Sequence, residues 1–277
     1  MTGIRIAVAE PTITKDAAEN GAKVRELMKS AAAGKARLIQ FPEGQLSGYP
    51  KEQVQDWSEV DFAVVADELE KIKKLAEKLK LWVVLGSAHP LTPPNRPHNS
   101  LYVISDQGRI VDRYDKQYLS NTEVTRFFSP GFEPIVFDVD GYRFGCAICI
   151  EINFPQLFGH YERLGVECLL LSAYPVDSIF EVKARAHAAI NNYWVAMSLP
   201  AQTADLMPSG LIAPDGTYVA TVTAPEELTI ATIDRDDPAY ATALTKARPW
   251  RKTATKGDIY AARRITGDPR STNHTIS

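Results

Sequence analysis

An α/β layered fold is what this sequence predicts, and three observations carry the prediction. Strand-like apolar runs alternate with helix-like ones through most of the 277 residues. Between residues 61 and 80, Val65, Leu69, Ile72, Ala76 and Leu79 recur at spacings of three and four, with lysines and glutamates on the other face. The run Glu167-Cys168-Leu169-Leu170-Leu171-Ser172 is apolar almost throughout, as a fully buried strand requires.

Taken in order, residues 4–8 form the first strand and about 16–32 the first helix, ended near Gly34. The short run 38–41 then delivers Pro42-Glu43-Gly44 at its end. The second helix leads into a strand over 81–86 and a loop rich in Pro93, Pro94 and Pro97. Residues 101–104 and 110–111 flank Ser105-Asp106-Gln107-Gly108, which reads as a hairpin with glycine in its turn. An irregular segment follows over 113–123, then Phe127, Phe128 and Pro130-Gly131. Charge and aromatics concentrated in such a loop are where functional residues gather.

A strand over 135–139 and the turn Asp140-Gly141 feed the central stretch Tyr142-Arg143-Phe144-Gly145-Cys146-Ala147-Ile148-Cys149-Ile150-Glu151-Ile152-Asn153-Phe154-Pro155. It reads as a buried strand that breaks at a cysteine, with Pro155 placed to open a helix over 155–164, closed by Gly165. Beyond the strand at 167–172 come a helix over about 179–191 and a strand over 193–198. Short strands near 211–212 and 218–222 flank a second hairpin, Ala213-Pro214-Asp215-Gly216, and 228–233 ends the regular core. Residues 234–277 are more polar and read as a C-terminal arm or partly disordered tail of a single domain spanning 1–277.

Composition excludes several classes. Lysine plus arginine number 31 against 34 aspartates and glutamates, a net charge of −3 without the basic footprint of a nucleic-acid binder. No apolar run is long enough to span a membrane, and the start has no signal-peptide pattern. The three cysteines, Cys146, Cys149 and Cys168, cannot all pair with one another and lie in apolar runs, so reduced thiols in the cytoplasm are expected.

A thiol at the carboxyl end of a strand, just before a helix, sits where layered α/β folds expose nucleophiles. Cys149 is therefore a candidate nucleophile, with a packed core cysteine as the plain alternative. A nucleophilic thiol needs a proton acceptor and a group to stabilise the oxyanion. None of His89, His98, His160, His187 and His274 sits in a cysteine-protease motif. Glu43, directly after an apolar strand, would have its proton affinity raised towards that of a base, and Lys116 could stabilise negative charge. Either one alone also reads as an ordinary surface charge.

Their order is more specific. Phe41-Pro42-Glu43, then Tyr114-Asp115-Lys116, then the stretch from Gly145 to Pro155 resembles the nitrilase superfamily, the carbon-nitrogen hydrolases. Phe128-Ser129-Pro130-Gly131, Ala184-Arg185-Ala186, Asn191-Asn192-Tyr193-Trp194-Val195 and the two hairpins extend the resemblance over about residues 4–233. It implies a four-layer α-β-β-α sandwich with a Glu-Lys-Cys triad. Glu43 would be the general base, Lys116 the stabiliser of the tetrahedral intermediate and Cys149 the attacking group. Glu123 matches a second glutamate that places substrate or lysine, and the Ile150 amide would be the second oxyanion donor. The implied activity is hydrolysis of a non-peptide carbon-nitrogen bond, as in an amidase or N-carbamoyl amidohydrolase, through a thioester and without metal or organic cofactor. The implied partners are a small amide or nitrile substrate and further copies of the chain, as a homodimer or higher homo-oligomer.

Asp115, Tyr118 and Ser198 depart from residues frequent in that family, which bears on substrate choice more than on catalysis. Tyr49, Tyr118, Phe128, Tyr174 and Trp194 are candidates for a pocket wall, Tyr49 and Tyr174 foremost, and Arg126 for a carboxylate contact. Cys146 and Cys149 also spell C-x-x-C, but residues three apart on a strand point to opposite faces, so Cys146 and Cys168 are expected in the core. Nitrile hydrolysis, acyl transfer on the same fold, and a non-catalytic binding or assembly module are the alternative functions.

Overall fold

Period-two alternation along the strands explains the layering in this computed structural model, which describes residues 3–273 and 275. In β1 (Ile4–Ala9), Ile4, Ile6 and Val8 pack into the space between two sheets, whereas Ala7 and Ala9 face helices. The same division separates Leu38 from Ile39 in β2 (Leu38–Gln40), and Val84 from Val83 and Leu85 in β3 (Trp82–His89). In β4 (His98–Ile104) it separates Leu101 and Val103 from Tyr102 and Ile104. Together with β5 (Ile110–Asp115) and β12 (Leu228–Ile233) these form a six-stranded sheet, order β12-β1-β2-β3-β4-β5.

α1 (Ala17–Ala33) and α2 (Phe62–Leu79) cover its outer face through Val24, Leu27, Met28, Val65, Ile72 and Ala76. Asp16 and Asp61, which the sequence places at the helix starts, are their N-caps: each carboxylate accepts the N–H groups two and three residues on.

The second sheet has the order β11-β10-β9-β8-β7-β6. Its strands are β6 (Val136–Val139), β7 (Tyr142–Ile148), β8 (Cys168–Ser172), β9 (Trp194–Ser198), β10 (Gly210–Ile212) and β11 (Tyr218–Thr221). A Cβ at Gly145 would lie 2.6 Å from the Tyr161 ring, so this face of β7 meets α3 (Pro155–Arg163), and Phe144 and Cys146 face the first sheet. α4 (Ile179–Asn191) lies beside α3 and buries Phe180, Ala184 and Ala188. The result is the four-layer α-β-β-α sandwich.

Three boundaries differ from the sequence reading. β3 continues to His89, β4 starts at His98, and β5 continues to Asp115. The extra residues are largely polar, so an apolar pattern misses them, yet His98, Asn99 and Ser100 are buried and pair with β3, and Ser100 pairs with β5 as well. Trp194, grouped by sequence with pocket aromatics, lies at the opposite end of β9, paired in register with Cys168 and edge-on to Tyr240. Of the expected arm, the segment Arg248–Ala254 is helical and touches the core: Arg248 Nη2 donates to the Val166 carbonyl at 2.7 Å and Arg251 Nη2 to Asn191 at 3.3 Å. His274, Ile276 and Ser277 lie outside the described residues. No helix among the described residues is long and apolar enough to cross a membrane.

Candidate active site

The strands of both sheets end at one rim. β2 runs through Phe41 and Pro42 to Glu43, β5 stops directly before Lys116, β7 directly before Cys149, and β8 two residues before Tyr174. Glu43 is seated by a close approach: a Cβ on Gly86 would sit 2.0 Å from the Pro42 carbonyl oxygen, so only glycine lets the loop lie down on β3. Cys149 has φ +48°, a left-handed conformation that costs a non-glycine residue energy and turns the chain sharply from β7 into a 3-10 turn, Cys149–Asn153. The sequence places a break at Cys149, but nothing in the residue types there signals its left-handed conformation.

Glu43, Lys116 and Glu123 are in direct contact. Lys116 Nζ donates to Glu43 Oε1 at 2.8 Å and to Glu123 Oε1 at 2.7 Å, and all three residues are buried. Asn99 Nδ2 donates to the same Glu43 oxygen at 2.7 Å, and the Ser120 amide to Glu123 Oε2 at 2.7 Å. Tyr174 joins this group to the thiol through its backbone: its N–H donates to Glu43 Oε2 at 3.1 Å, and its carbonyl accepts from Cys149 Sγ at 3.6 Å. Ile150 is half-buried in the turn after Cys149.

The electrostatics follow from two carboxylates sharing one ammonium away from water. Burial raises the proton affinity of Glu43, only partly opposed by Lys116. For Glu123 burial also acts upward, but the Lys116 ammonium outweighs it and holds the carboxyl below its ordinary range. Burial would lower Lys116; Glu43 and Glu123 more than offset this and keep it charged. Burial and the neighbouring Glu43 push the Cys149 thiol well above its ordinary range, so it rests protonated. This arrangement holds a neutral thiol beside a carboxylate able to take its proton, with a fixed cation beside both.

Tyr49 and Tyr174 stack with ring centroids 4.4 Å apart, and Gln53 Nε2 donates to the Tyr174 hydroxyl at 3.3 Å. Tyr118 stacks on Phe154, Phe128 packs against Trp57, and Arg126 is exposed above the Phe127 ring. Cys146 and Cys168 are fully buried, and all three cysteines are free, so the C-x-x-C spacing forms no disulfide. His98 and His187 bond the backbone carbonyls of Ser129 and Ile152.

Sequence reasoning missed Asn99, Tyr114 and Glu151. Asn99 sits in a polar run that carried no strand signal. Glu151 left one clue, a lone charge inside the apolar run Ile148-Cys149-Ile150-Glu151-Ile152.

Comparison with known proteins bears on the family and the fold. The chain is 24% identical to the chloroplastic omega-amidase of Arabidopsis thaliana over 84% of its own length and 68% of the relative's. It is 23% identical to the omega-amidase NIT2 of Homo sapiens, over 73% and 76%. A nitrilase-superfamily amidase from Nesterenkonia AN1 superposes with TM-score 0.75 at 17% identity, covering 91% of this chain and 98% of that one. Another structure of that amidase, TM-score 0.74 at 18% identity over 90% and 96%, carries the acetamide moiety of fluoroacetamide added covalently at the active-site cysteine. With the carbon-nitrogen hydrolase family model matching residues 5–240 as well, the chain belongs to the carbon-nitrogen hydrolases of the nitrilase superfamily.

Proposed function

We propose that the protein hydrolyses a small amide through a thioester on Cys149. One observation supports this above others: the Lys116 ammonium is fixed between Glu43 and Glu123, and Glu43 and Cys149 both bond the backbone of Tyr174. In this reading Glu43 takes the thiol proton as Sγ attacks the amide carbon. The oxyanion that forms is held by Lys116 and the Ile150 amide. As the carbon-nitrogen bond breaks, Glu43 gives that proton to the leaving nitrogen, and ammonia or an amine departs. Glu43 then deprotonates water for attack on the thioester, which releases the acid and returns the proton to Sγ. Glu123 holds Lys116 in place, and the stacked Tyr49 and Tyr174 wall the acyl side. An amide substrate is supported by the omega-amidase relatives and by the acetamide adduct on the structural neighbour, and N-carbamoyl compounds are included as close chemical analogues of amides.

The partner assigned here is a second copy of the chain. Val176 and, on one face of α4, Ile179, Val182 and Ile190 are all more than half exposed. Such a strip suits a two-fold pairing. Three free thiols fit a cytoplasmic setting.

The test is ammonia release from a panel of primary amides, N-carbamoyl compounds and nitriles, by the protein and by Cys149→Ala. Release by the first alone supports the reading, and the best substrate names the subclass. A panel in which only nitriles react, or in which acyl groups pass to amines instead of water, overturns amide hydrolysis in favour of the other chemistries of this fold.

A further inference from the structure

The groups of the site come from two sheets that share no ladder hydrogen bonds: Glu43 and Lys116 extend from the first, Cys149 and Tyr174 from the second. A sandwich held only by apolar contact leaves their relative position to non-directional forces, whereas reacting groups need sub-ångström placement. Polar ties across the sandwich exist farther back, from Gln40 Nε2 to Ser172 Oγ at 3.1 Å and from Ser198 Oγ to the Ala9 carbonyl at 2.6 Å, and at the site from the Tyr174 N–H to Glu43 Oε2 at 3.1 Å. None of these touches the peptides flanking Lys116 or Cys149.

Glu151 does. Its Oε1 accepts the backbone N–H groups of Gln117 at 2.8 Å and Tyr118 at 3.1 Å, the two residues after Lys116. Its Oε2 accepts the N–H of Ile148, the residue before Cys149, at 2.7 Å. The Tyr114 hydroxyl, from the penultimate residue of β5, lies 2.8 Å from both oxygens. The carboxylate is fully buried, and every group around it is a donor. We propose that Glu151 is a positioning residue: it clamps the Lys116 loop of one sheet to the Cys149 turn of the other and so fixes the distance between the ammonium and the thiol. This rests on the reading of Cys149 as nucleophile and Lys116 as its electrostatic partner.

A merely structural role, capping the turn that starts at Cys149, is separable by isosteric replacement. In Glu151→Gln one oxygen becomes an NH2, which sets donor against donor either at Ile148 or at Gln117 and Tyr118. The shape is kept, but one flank of the clamp is lost. The expected result is kcat lower by about 100-fold with KM within about threefold, since a small misplacement of reacting groups costs that much. Alkylation of Cys149 by iodoacetamide, an amide-bearing electrophile, should slow in parallel and shift in its pH dependence. Cys146 and Cys168 are fully buried and do not compete. Tyr114→Phe, which removes one donor and leaves the backbone ones, should give an intermediate loss and serves as the test if Glu151→Gln does not fold. Full kcat and parental alkylation in the folded variant, with only Tm lowered, would overturn the proposal. If Cys149→Ala itself turns over substrate, the underlying assignment of the nucleophile falls, and the alkylation profile still reports whether Glu151 governs this thiol.

Discussion

Two clusters of charge in this protein combine cations and carboxylates in opposite ratio. At the site one lysine lies between two glutamates, and Lys116, Glu43 and Glu123 have side chains only 1%, 0% and 3% exposed. Between α1 and α2 one buried glutamate, Glu68, lies between Arg25 and Lys71, whose side chains are 25% and 48% exposed. In the helix cluster the cations keep their water, and the pairing adds little beyond joining two helices. At the site none of the three is hydrated, each depends on the others, and proton affinities move. Burial of every member, more than the number of ion pairs, separates the two clusters.

Lys116→Met tests that contrast most severely. It leaves two buried carboxylates without a cation, so a denaturant titration should lose about 3–5 kcal/mol, and kcat should fall by at least about 100-fold. Parental stability would mean that water already reaches the site. Glu123→Gln keeps one ammonium–carboxylate pair and should lower kcat about tenfold, a loss sized by the lower end of one charged hydrogen bond, roughly 1.5 kcal/mol. The pH profile sharpens the comparison further. Glu43 binds its proton more tightly than an ordinary carboxyl of 4.5, and once protonated it cannot take the thiol proton. The acid limb of kcat/KM should therefore lie above that value, with activity falling as pH drops through it. A limb at or below 4.5 would argue that Glu43 is solvated. Glu68→Gln should do least: at most about 1 kcal/mol of stability and unchanged kcat.

The legible part of the sequence was the part that repeats. Alternation in β1 and the spacing of Val65, Ile72 and Ala76 reflect burial of whole faces, a property each residue carries by type. Glu43, Lys116, Glu123 and Cys149 were legible through order and resemblance, and the fold brings the first three into contact with the thiol close by. Asn99 and Glu151 were not, because a buried polar residue is explained only by its partners, and those are distant in the chain: Glu43 for Asn99, Gln117 and Ile148 for Glu151. Trp194 was misplaced for a related reason, since an aromatic near a strand carries no mark of which end of the sheet it occupies.

The protonated resting state of Cys149 has a consequence for life among oxidants. Peroxide reacts with thiolates, and the sulfinic and sulfonic products of repeated oxidation are not recovered by ordinary thiols. Under the proposed mechanism the cysteine is neutral and largely covered until an amide arrives and Glu43 takes its proton, so it would present almost no thiolate to peroxide between turnovers. Substrate-gated ionisation, if the proposed mechanism holds, would give this hydrolase a thiol that is reactive on demand and durable at rest.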